Sequence, residues 1–389
     1  MEPERRPVSL ILSYKYRVYP NKAQLVALNA MLADLCSLYN AALEHRILAY
    51  AKGVNVHCFD QIKALTEIRR DLPHIGRWAC YPEQQVMRRL DKAFRAFFGR
   101  VKRGDAPGFP RFQSRERFST AEFRISHGLR IRDTGKVSVV GIGMLKVRWH
   151  RPLPGKPQSV LLTRKAGRWF IIFRVAVTPT ERCNEETIGI DLGLSNLVAL
   201  SNGHTENRPR WAKAMGRERQ RRQRAFARCH RRSRQREHRK AQLIKFYASI
   251  AAKRRDYLHK VSSTITKEFG RIAIEDLNVD ALGRGCLAKE VGDAAWAILI
   301  SMISYKAAKA GGEVIKVNAR GTSQTCPECG KIEAKPLRAR VHNCSCGCML
   351  DRDVAAAKVI HHRAFGFWPG TGHGSQSGLH RAKLGSEVA

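Results

Sequence analysis

The sequence predicts a multidomain α+β protein, in which an N-terminal β-barrel is interrupted by a helical domain and followed by a strand-and-helix portion with an inserted cysteine finger. Three observations support this prediction. The length of 389 residues allows two to four domains, each with its own core. Apolar residues in the first half alternate at strand period, except where they take a helical period. In the second half, three apolar strands precede five closely spaced cysteines.

The first half contains both periods. Leu10–Val18 alternates as a strand, and the leucines after Lys22 have helical spacing, so helices are expected to about Lys102. Together, the alternating segments predict a small β-barrel that serves as an oligonucleotide-binding platform, with a plain scaffold barrel as the alternative. The six further predicted strands are Ala121–Ile125, Leu129–Arg132, Lys136–Val140, Met144–Trp149, Ser159–Thr163 and Trp169–Val177.

Three phenylalanines lie near the end of the helical segment. Phe94, Phe97 and Phe98 are expected to pack in a core, and base stacking is the alternative. A loop rich in Gly and Pro follows at residues 104–118. Its Arg111 and Arg115, with Arg117, are predicted to contact phosphates.

The composition is strongly basic, with 71 Lys and Arg against 33 Asp and Glu, a net charge of +38. Such an excess favours a polyanionic partner, and nucleic acid fits better than an anionic membrane because no long basic amphipathic anchor with an aromatic face is found. No apolar run of membrane-spanning length is expected. The cysteines outside the finger are scattered, which predicts a reduced, cytoplasmic protein.

Much of the charge lies in residues 208–240, here called the basic run. It is rich in helix formers and leads into an amphipathic helix that reaches Phe269. This density of like charge predicts contact with nucleic acid, with a solvated helix face as the alternative. The predicted contacts in the basic run are Arg217, Arg221, Arg224, Arg228 and Arg231.

Single carboxylates occur on apolar segments of the second half. The apolar strand Thr187–Leu192 carries Asp191, a second strand, Arg271–Leu277, carries Glu275 and its neighbour Asp276, and Asp353 begins a helix-forming run. A carboxylate is costly to bury unless it is paired or binds a metal. Three of them together would bind two Mg²⁺ ions and hydrolyse a phosphodiester. Three separately satisfied carboxylates are the alternative.

The finger begins with a C-x-x-C knuckle, Cys326 and Cys329, and its second knuckle contains Cys344 and Cys346. Paired thiolates across a short loop indicate a tetrahedral, structural Zn²⁺ site. The second knuckle is irregular, so Cys348 or His342 could supply the fourth ligand instead of Cys346. Buried, unbound thiols are the alternative.

These motifs, taken in order, resemble those of the TnpB nucleases of bacterial insertion sequences, which are similar to the ancestors of type V CRISPR effectors. The resemblance rests on YKYRVYPNKAQ, GFPRFQS, IGIDLG, DYLHKVSSTI, IAIEDLNV, GTSQTCPECG and DRDVAAAKVI, and it extends to about residue 360. It implies an RNase H-like RuvC nuclease domain and favours Glu275 over Asp276 as its second acid. Ala355 departs from the Asn that many relatives carry there.

The resemblance also implies a domain order. The expected domains are a wedge barrel (1–20 and 106–182), a helical recognition domain (21–105), a RuvC-like domain (183–320) with a basic helical insert (208–240), a zinc finger (321–350), the last RuvC helix (351–365) and a flexible tail (366–389).

The implied activity is cleavage of double-stranded DNA beside a short flanking motif, guided by an RNA from the transposon end. A separate transposase encoded by the same element is a further expected partner. A nuclease-inactive RNA- or DNA-binding regulator of transposition is the alternative function. A transposase that uses a tyrosine nucleophile is disfavoured, because no His is followed two residues later by another.

Overall fold

The computed structural model describes residues 9–180, 184–278, 292, 294–336 and 339–366, without the side chain of Ala212. The predicted tail beyond Gly366 and the first eight residues of the predicted barrel lie outside this range. The chain forms two compact units. One comprises Met1–Pro179 and Arg219–Ser249, and the other comprises Thr180–Glu218 and Ile250–Ala389.

The first unit contains a closed seven-stranded barrel with the strand order β1-β5-β4-β3-β2-β6-β7. All seven strands predicted from alternation are confirmed, with ends shifted by a few residues. Neighbours pair antiparallel except β2 and β3, which make a short parallel contact. The strands are β1 (Leu10–Tyr19), β2 (Thr120–Ile125), β3 (Gly128–Ile131), β4 (Val137–Val139), β5 (Gly143–Arg148), β6 (Pro157–Lys165) and β7 (Arg168–Val177).

Four helices are inserted between β1 and β2: α1 (Lys22–Ala51), α2 (Cys58–Asp71), α3 (Pro73–Gly76) and α4 (Cys80–Lys102). Asn21 and Gln24 form a capping box that starts α1. By length and composition α1 could span a membrane, so the expectation that no run reaches spanning length is wrong. Core helices pass the same test, and one face of α1 packs into the same hydrophobic core as the barrel.

The phenylalanines of α4 differ from the prediction of a common core. Phe94 is half-buried and packs at the edge of the core, whereas Phe98 leaves 61% of its surface exposed. The buried apolar face of α4 lies earlier in the helix, at Val86, Met87 and Leu90. A helix that continues past its core contact exposes the apolar residues of its last turns.

The second unit contains a five-stranded sheet with the order β10-β9-β8-β11-β12. Strands β8, β9 and β10 pair antiparallel, whereas β11 is parallel to both β8 and β12. The three-residue strand β10 was not predicted. The strands are β8 (Thr187–Asp191), β9 (Asn196–Leu200), β10 (Thr205–Asn207), β11 (Arg271–Glu275) and β12 (Glu313–Val317).

Helices cover both faces of this sheet. On one face, Ile188 and Ile190 of β8 join a core with residues from the end of α7 (Arg234–Glu268) and from α8 (Trp296–Lys309). On the other face, Ala273 of β11 packs with Ile360 of α9 (Arg352–Phe365). Successive residues of a strand point to opposite faces, which produces this division.

The basic run forms α5 (Trp211–Ala214), α6 (Gly216–Ala227) and the start of α7. A turn at residues 228–233 separates α6 from α7, and its Arg232 has a positive φ of 64°. Arg222 lies over the ring of Phe246, and Gln223 donates to the hydroxyl of Tyr247 at 2.7 Å. Within the first unit, residues 219–249 therefore form an antiparallel helical pair, here called the basic hairpin, rather than one continuous helix.

The cysteine finger connects β12 to α9. It contains β13 (Val341–Asn343) and β14 (Met349–Asp351), which pair antiparallel on either side of the second knuckle. Asp351 caps α9 by accepting from the backbone N–H groups of Asp353 and Val354. The finger therefore ends where the last helix begins.

Candidate active site and cysteine finger

The pairing of β8 with β11 brings two predicted acids side by side. Gly189 lies opposite Ala273, and Ile190 lies opposite Ile274. One residue further along each parallel strand come Asp191 and Glu275. They share the sheet face of Gly189 and Ala273, and neighbouring strands are about 4.8 Å apart.

The third acid comes from the helix that packs on this face. A Cβ added to Gly189 would lie 2.2 Å from the carbonyl oxygen of Ala357. Only glycine at position 189 therefore allows β8 and α9 to approach this closely. His361, one turn further along α9, pairs with the hydroxyl of Thr187 at 2.8 Å. This contact directs the N-terminus of α9, with Asp353 in its first turn, toward the ends of β8 and β11.

Neighbouring side chains hold two of the acids. Thr322, just before the finger, donates its hydroxyl to a carboxylate oxygen of Glu275. Asn196 at the start of β9 lies 3.5 Å from a carboxylate oxygen of Asp353. Asp276, in contrast, is exposed and pairs with Lys316 at 2.9 Å. The buried carboxylate at the end of β11 is therefore that of Glu275.

Burial affects the ionisation of all three acids. Burial, with the charges of Glu275 and Asp353 beside it, raises the pKa of Asp191 well above its usual range. Burial also raises the pKa of Glu275, against the stabilising hydrogen bond from Thr322. Burial and the nearby Asp351 raise the pKa of Asp353. Ionised carboxylates in such a place require a compensating cation.

The three acids lie at the same end of the second sheet, and Asp191 is close enough to the other two for their charges to raise its pKa. Among the described residues, the three carboxylates do not form a set whose oxygens all lie within 4.8 Å of one another. Carboxylate oxygens are the ligands that Mg²⁺ prefers.

The finger brings four thiols together. The sulfur atoms of Cys326, Cys329, Cys344 and Cys346 all lie within 4.8 Å of one another. The Sγ–Sγ distance is 3.7 Å between Cys326 and Cys346 and 3.5 Å between Cys329 and Cys344. A tetrahedron with Zn–S bonds of about 2.3 Å has edges of about 3.8 Å. A backbone N–H of Cys346 lowers the pKa of Cys344 to about 6, which favours a thiolate ligand.

The two alternative fourth ligands belong to a second group that shares only Cys326 with the four thiols. Cys348 and His342 are buried and form a separate close group with Cys326. Nδ1 of His342 accepts a hydrogen bond from the ammonium of Lys335 at 2.7 Å. The four-thiol group therefore contains Cys346 and excludes Cys348 and His342.

The predicted nucleic-acid contacts are all exposed. Arg111 and Arg115 lie in the loop between α4 and β2. Lys240 of the basic hairpin pairs with Glu116 of the same loop at 2.8 Å. The remaining predicted contacts are Arg217, Arg221 and Arg224 on α6, with Arg228 and Arg231 in the turn after it.

Sequence reasoning missed the residues that hold the acids. Thr322 stands in the quoted GTSQTCPECG motif, but nothing in its spacing indicates a contact with Glu275. Asn196 is likewise unmarked. Asp351 carries a recognisable signal, because an Asp just before a helix is a favoured N-cap.

Three protein-family models match the chain: "Probable transposase" over residues 170–284, "Cas12f1-like, TNB domain" over residues 296–360 and "Helix-turn-helix domain" over residues 10–54. The last of these segments contains β1 and the single long helix α1. A solved Cas12f1–sgRNA–target DNA complex has a similar fold, with a TM-score of 0.58 over 91% of this chain and 99% of that one, at 11% identity.

Curated relatives extend the match across the chain. The Escherichia coli K12 protein "Putative RNA-guided DNA endonuclease InsQ" is 27% identical over 64% of this chain and 65% of its own length. The Streptomyces pristinaespiralis "Putative RNA-guided DNA endonuclease" is 32% identical over 360 residues, 90% of this chain and 88% of that protein. With this identity over nearly its whole length, the chain belongs to the TnpB family.

Proposed function

We propose that this protein is an RNA-guided endonuclease that cuts double-stranded DNA beside a short flanking motif. The convergence of Asp191, Glu275 and Asp353 at one edge of the second sheet supports this activity most directly. The basic composition supports a nucleic-acid substrate. The names of the two curated relatives support guidance by RNA.

The three carboxylates have distinct roles in this proposal. Asp191 is close enough to Glu275 and Asp353 for both of their charges to raise its pKa, so the three carboxylates together would hold the Mg²⁺ ions. Bound Mg²⁺, as a pair, would supply an activated water and stabilise the leaving oxygen of the phosphodiester. Thr322 and Asn196 fix the orientation of Glu275 and Asp353, because each offers a donor to one carboxylate.

The finger is proposed to hold one structural zinc ion. Cys326, Cys329, Cys344 and Cys346 fit the ion, because their Sγ–Sγ distances match the edges of a sulfur tetrahedron. Thr322 lies four residues before Cys326, and Asp353 lies seven residues after Cys346. The finger thus restrains both chain segments that enter the acidic site.

The partners follow from the same proposal. The guide is an RNA from the end of the insertion sequence, and base pairing to it selects the target, while the protein recognises the flanking motif. The barrel and α1–α4 act as wedge and recognition domains, and the five-stranded sheet belongs to an RNase H-like RuvC domain. The protein works in the cytoplasm, beside a separate transposase of the same element.

Two measurements test this function. Sequencing of the RNA that co-purifies with the full chain should give one defined species with a variable end. The complex should then linearise a plasmid that carries the matching target beside a randomised flank, provided that Mg²⁺ is present. Bulk cellular RNA, or a complex that binds the target without cutting it, would favour the nuclease-inactive regulator.

A matched pair of variants tests the acids. Glu275→Gln should abolish cleavage and leave RNA binding intact, because this carboxylate holds metal rather than phosphate. The adjacent Asp276→Asn should cut at the parental rate, because Asp276 points to solvent toward Lys316. Asp191→Ala and Asp353→Ala should behave like Glu275→Gln. Substantial cutting by any of these three would refute the three-acid site.

A further inference from the structure

Four phenylalanines form a cluster where α4 ends and the following loop begins. The ring of Phe109 meets those of Phe94 and Phe97 edge to face, at centroid distances of 5.6 and 5.3 Å. Phe98 lies against Phe97 at 5.1 Å and is stacked on Phe94 at 6.3 Å. Such pairs add to the stability of the cluster beyond burial alone.

Much of this cluster faces solvent. Phe98 is 61% exposed and Phe109 is 47% exposed, and Phe112, three residues further along the loop, is 57% exposed. Val101 in the last turn of α4 is 51% exposed. Mutually packed rings that remain this exposed, as Phe98 and Phe109 do, mark an interaction surface rather than a core.

The loop that carries Phe109 is held in place. Arg100 donates to the carbonyl oxygens of Pro107 and Gly108. The side chain of Asn40 in α1 accepts a hydrogen bond from the backbone N–H of Gln113 at 2.8 Å and donates one to the carbonyl oxygen of Gln113 at 2.9 Å. Both ends of the segment are therefore fixed, and its rings are ordered before any partner arrives.

The charge around the patch selects its partner. Exposed basic side chains alternate with the rings along the sequence: Lys102 follows Phe98, and Arg111 lies between Phe109 and Phe112. The one acid of the loop's first half, Asp105, already pairs with Arg103 at 2.9 Å. Flat apolar rings framed by cations suit a ligand that combines planar bases with phosphates.

We propose that Phe98 and Phe109 form a stacking surface for the exposed face of a nucleic-acid base, from a single strand or from the end of a duplex. The neighbouring arginines and Lys102 contact the adjoining phosphates. This surface lies in the unit that carries the barrel, so the proposal does not depend on the nuclease activity of the acids.

The experiment compares strands that differ only in their bases. Binding of the full chain is measured to three fluorescent ligands. They are a single strand of twelve thymidine nucleotides, a strand of equal length built from abasic nucleotides, and a blunt DNA hairpin. Phe98→Ala and Phe109→Ala should each weaken binding of the base-containing ligands by about five- to a hundredfold, the range for one stacked base. Binding of the abasic strand should not change.

Controls separate stacking from folding. Phe59→Ala removes a phenylalanine of α2 that is 66% exposed but outside the cluster, and it should not weaken binding. Phe109→Leu keeps an apolar side chain, so it should preserve the melting temperature and still weaken binding. Loss on the hairpin alone would identify a duplex end as the source of the base. An equal loss on the abasic strand, or no loss on any ligand, would overturn the proposal.

Discussion

The contact between β8 and α9 offers a direct test of how the acids are assembled. Gly189→Ala changes neither an acid nor a metal ligand, yet its Cβ would lie 2.2 Å from the carbonyl oxygen of Ala357 and 2.7 Å from the backbone nitrogen of His361. Both atoms are backbone, so no side chain can rotate away. The helix itself must move.

The size of the movement follows from these distances. Ordinary contact begins at 3.4 Å, so α9 must retreat from β8 by about 1 Å. Asp353 lies in the first turn of the same helix and moves with it. A misplacement of this size can lower a catalytic rate about 100-fold. Overpacking of this kind also costs about 1–3 kcal/mol of stability.

Single-turnover cleavage of target DNA by the guide complex measures the effect, with RNA binding as the second readout. Gly189→Ala should cut about 100-fold more slowly and bind RNA normally. Gly155→Ala is the matched control, since its Cβ would meet only ordinary contacts at 3.5 Å and beyond. Parental cleavage and melting temperature in Gly189→Ala would refute the described packing of α9 on β8.

Three further outcomes are expected. The folded-state pKa of Asp191 lies above its unfolded value, so in metal-free protein its contribution to stability is present at low pH and is lost as pH rises above the ordinary carboxyl range. Asp191→Asn should therefore raise the metal-free melting temperature at pH 7 and remove the further rise on adding Mg²⁺; a preserved Mg²⁺ response would contradict this. Cys346→Ser should lose zinc, whereas Cys348→Ser should keep one zinc ion per chain, as measured by mass spectrometry. The reverse result would identify Cys348 as the fourth ligand. Neutralising arginines of the basic hairpin should lower the slope of log affinity against log salt by about 0.7 to 0.9 per lost phosphate contact, and an unchanged slope would indicate a solvated face.

Periodicity was sufficient to predict the barrel. Along β7, residues such as Trp169, Ile171 and Phe173 are buried on alternate positions, and that alternation is visible in the sequence. The same rule indicated that only one of Glu275 and Asp276 could face the apolar interior. Side-chain alternation is local, so a single sequence displays it.

Contacts between distant segments could not be predicted in this way. Nothing in the sequence states that Gly189 lies opposite Ala273, or that Thr322 donates to Glu275, because register and close approach depend on the assembled fold. The turn near Arg232 was also missed, because residues 228–233 contain no Gly or Pro to mark it. Phe98 was misassigned because apolar character alone does not distinguish a core residue from an exposed interaction surface.

The register of β8 against β11 has a consequence for how this chain can vary in length. Strands adjacent in the sheet are separated in sequence by the whole segment from Leu192 to Gly270, which includes the basic hairpin. Once both strands are paired, the separation of Asp191 and Glu275 no longer depends on how many residues join them. The hairpin can therefore be lengthened, shortened or exchanged with the spacing of these two acids unchanged, so its size is open to drift and to engineering.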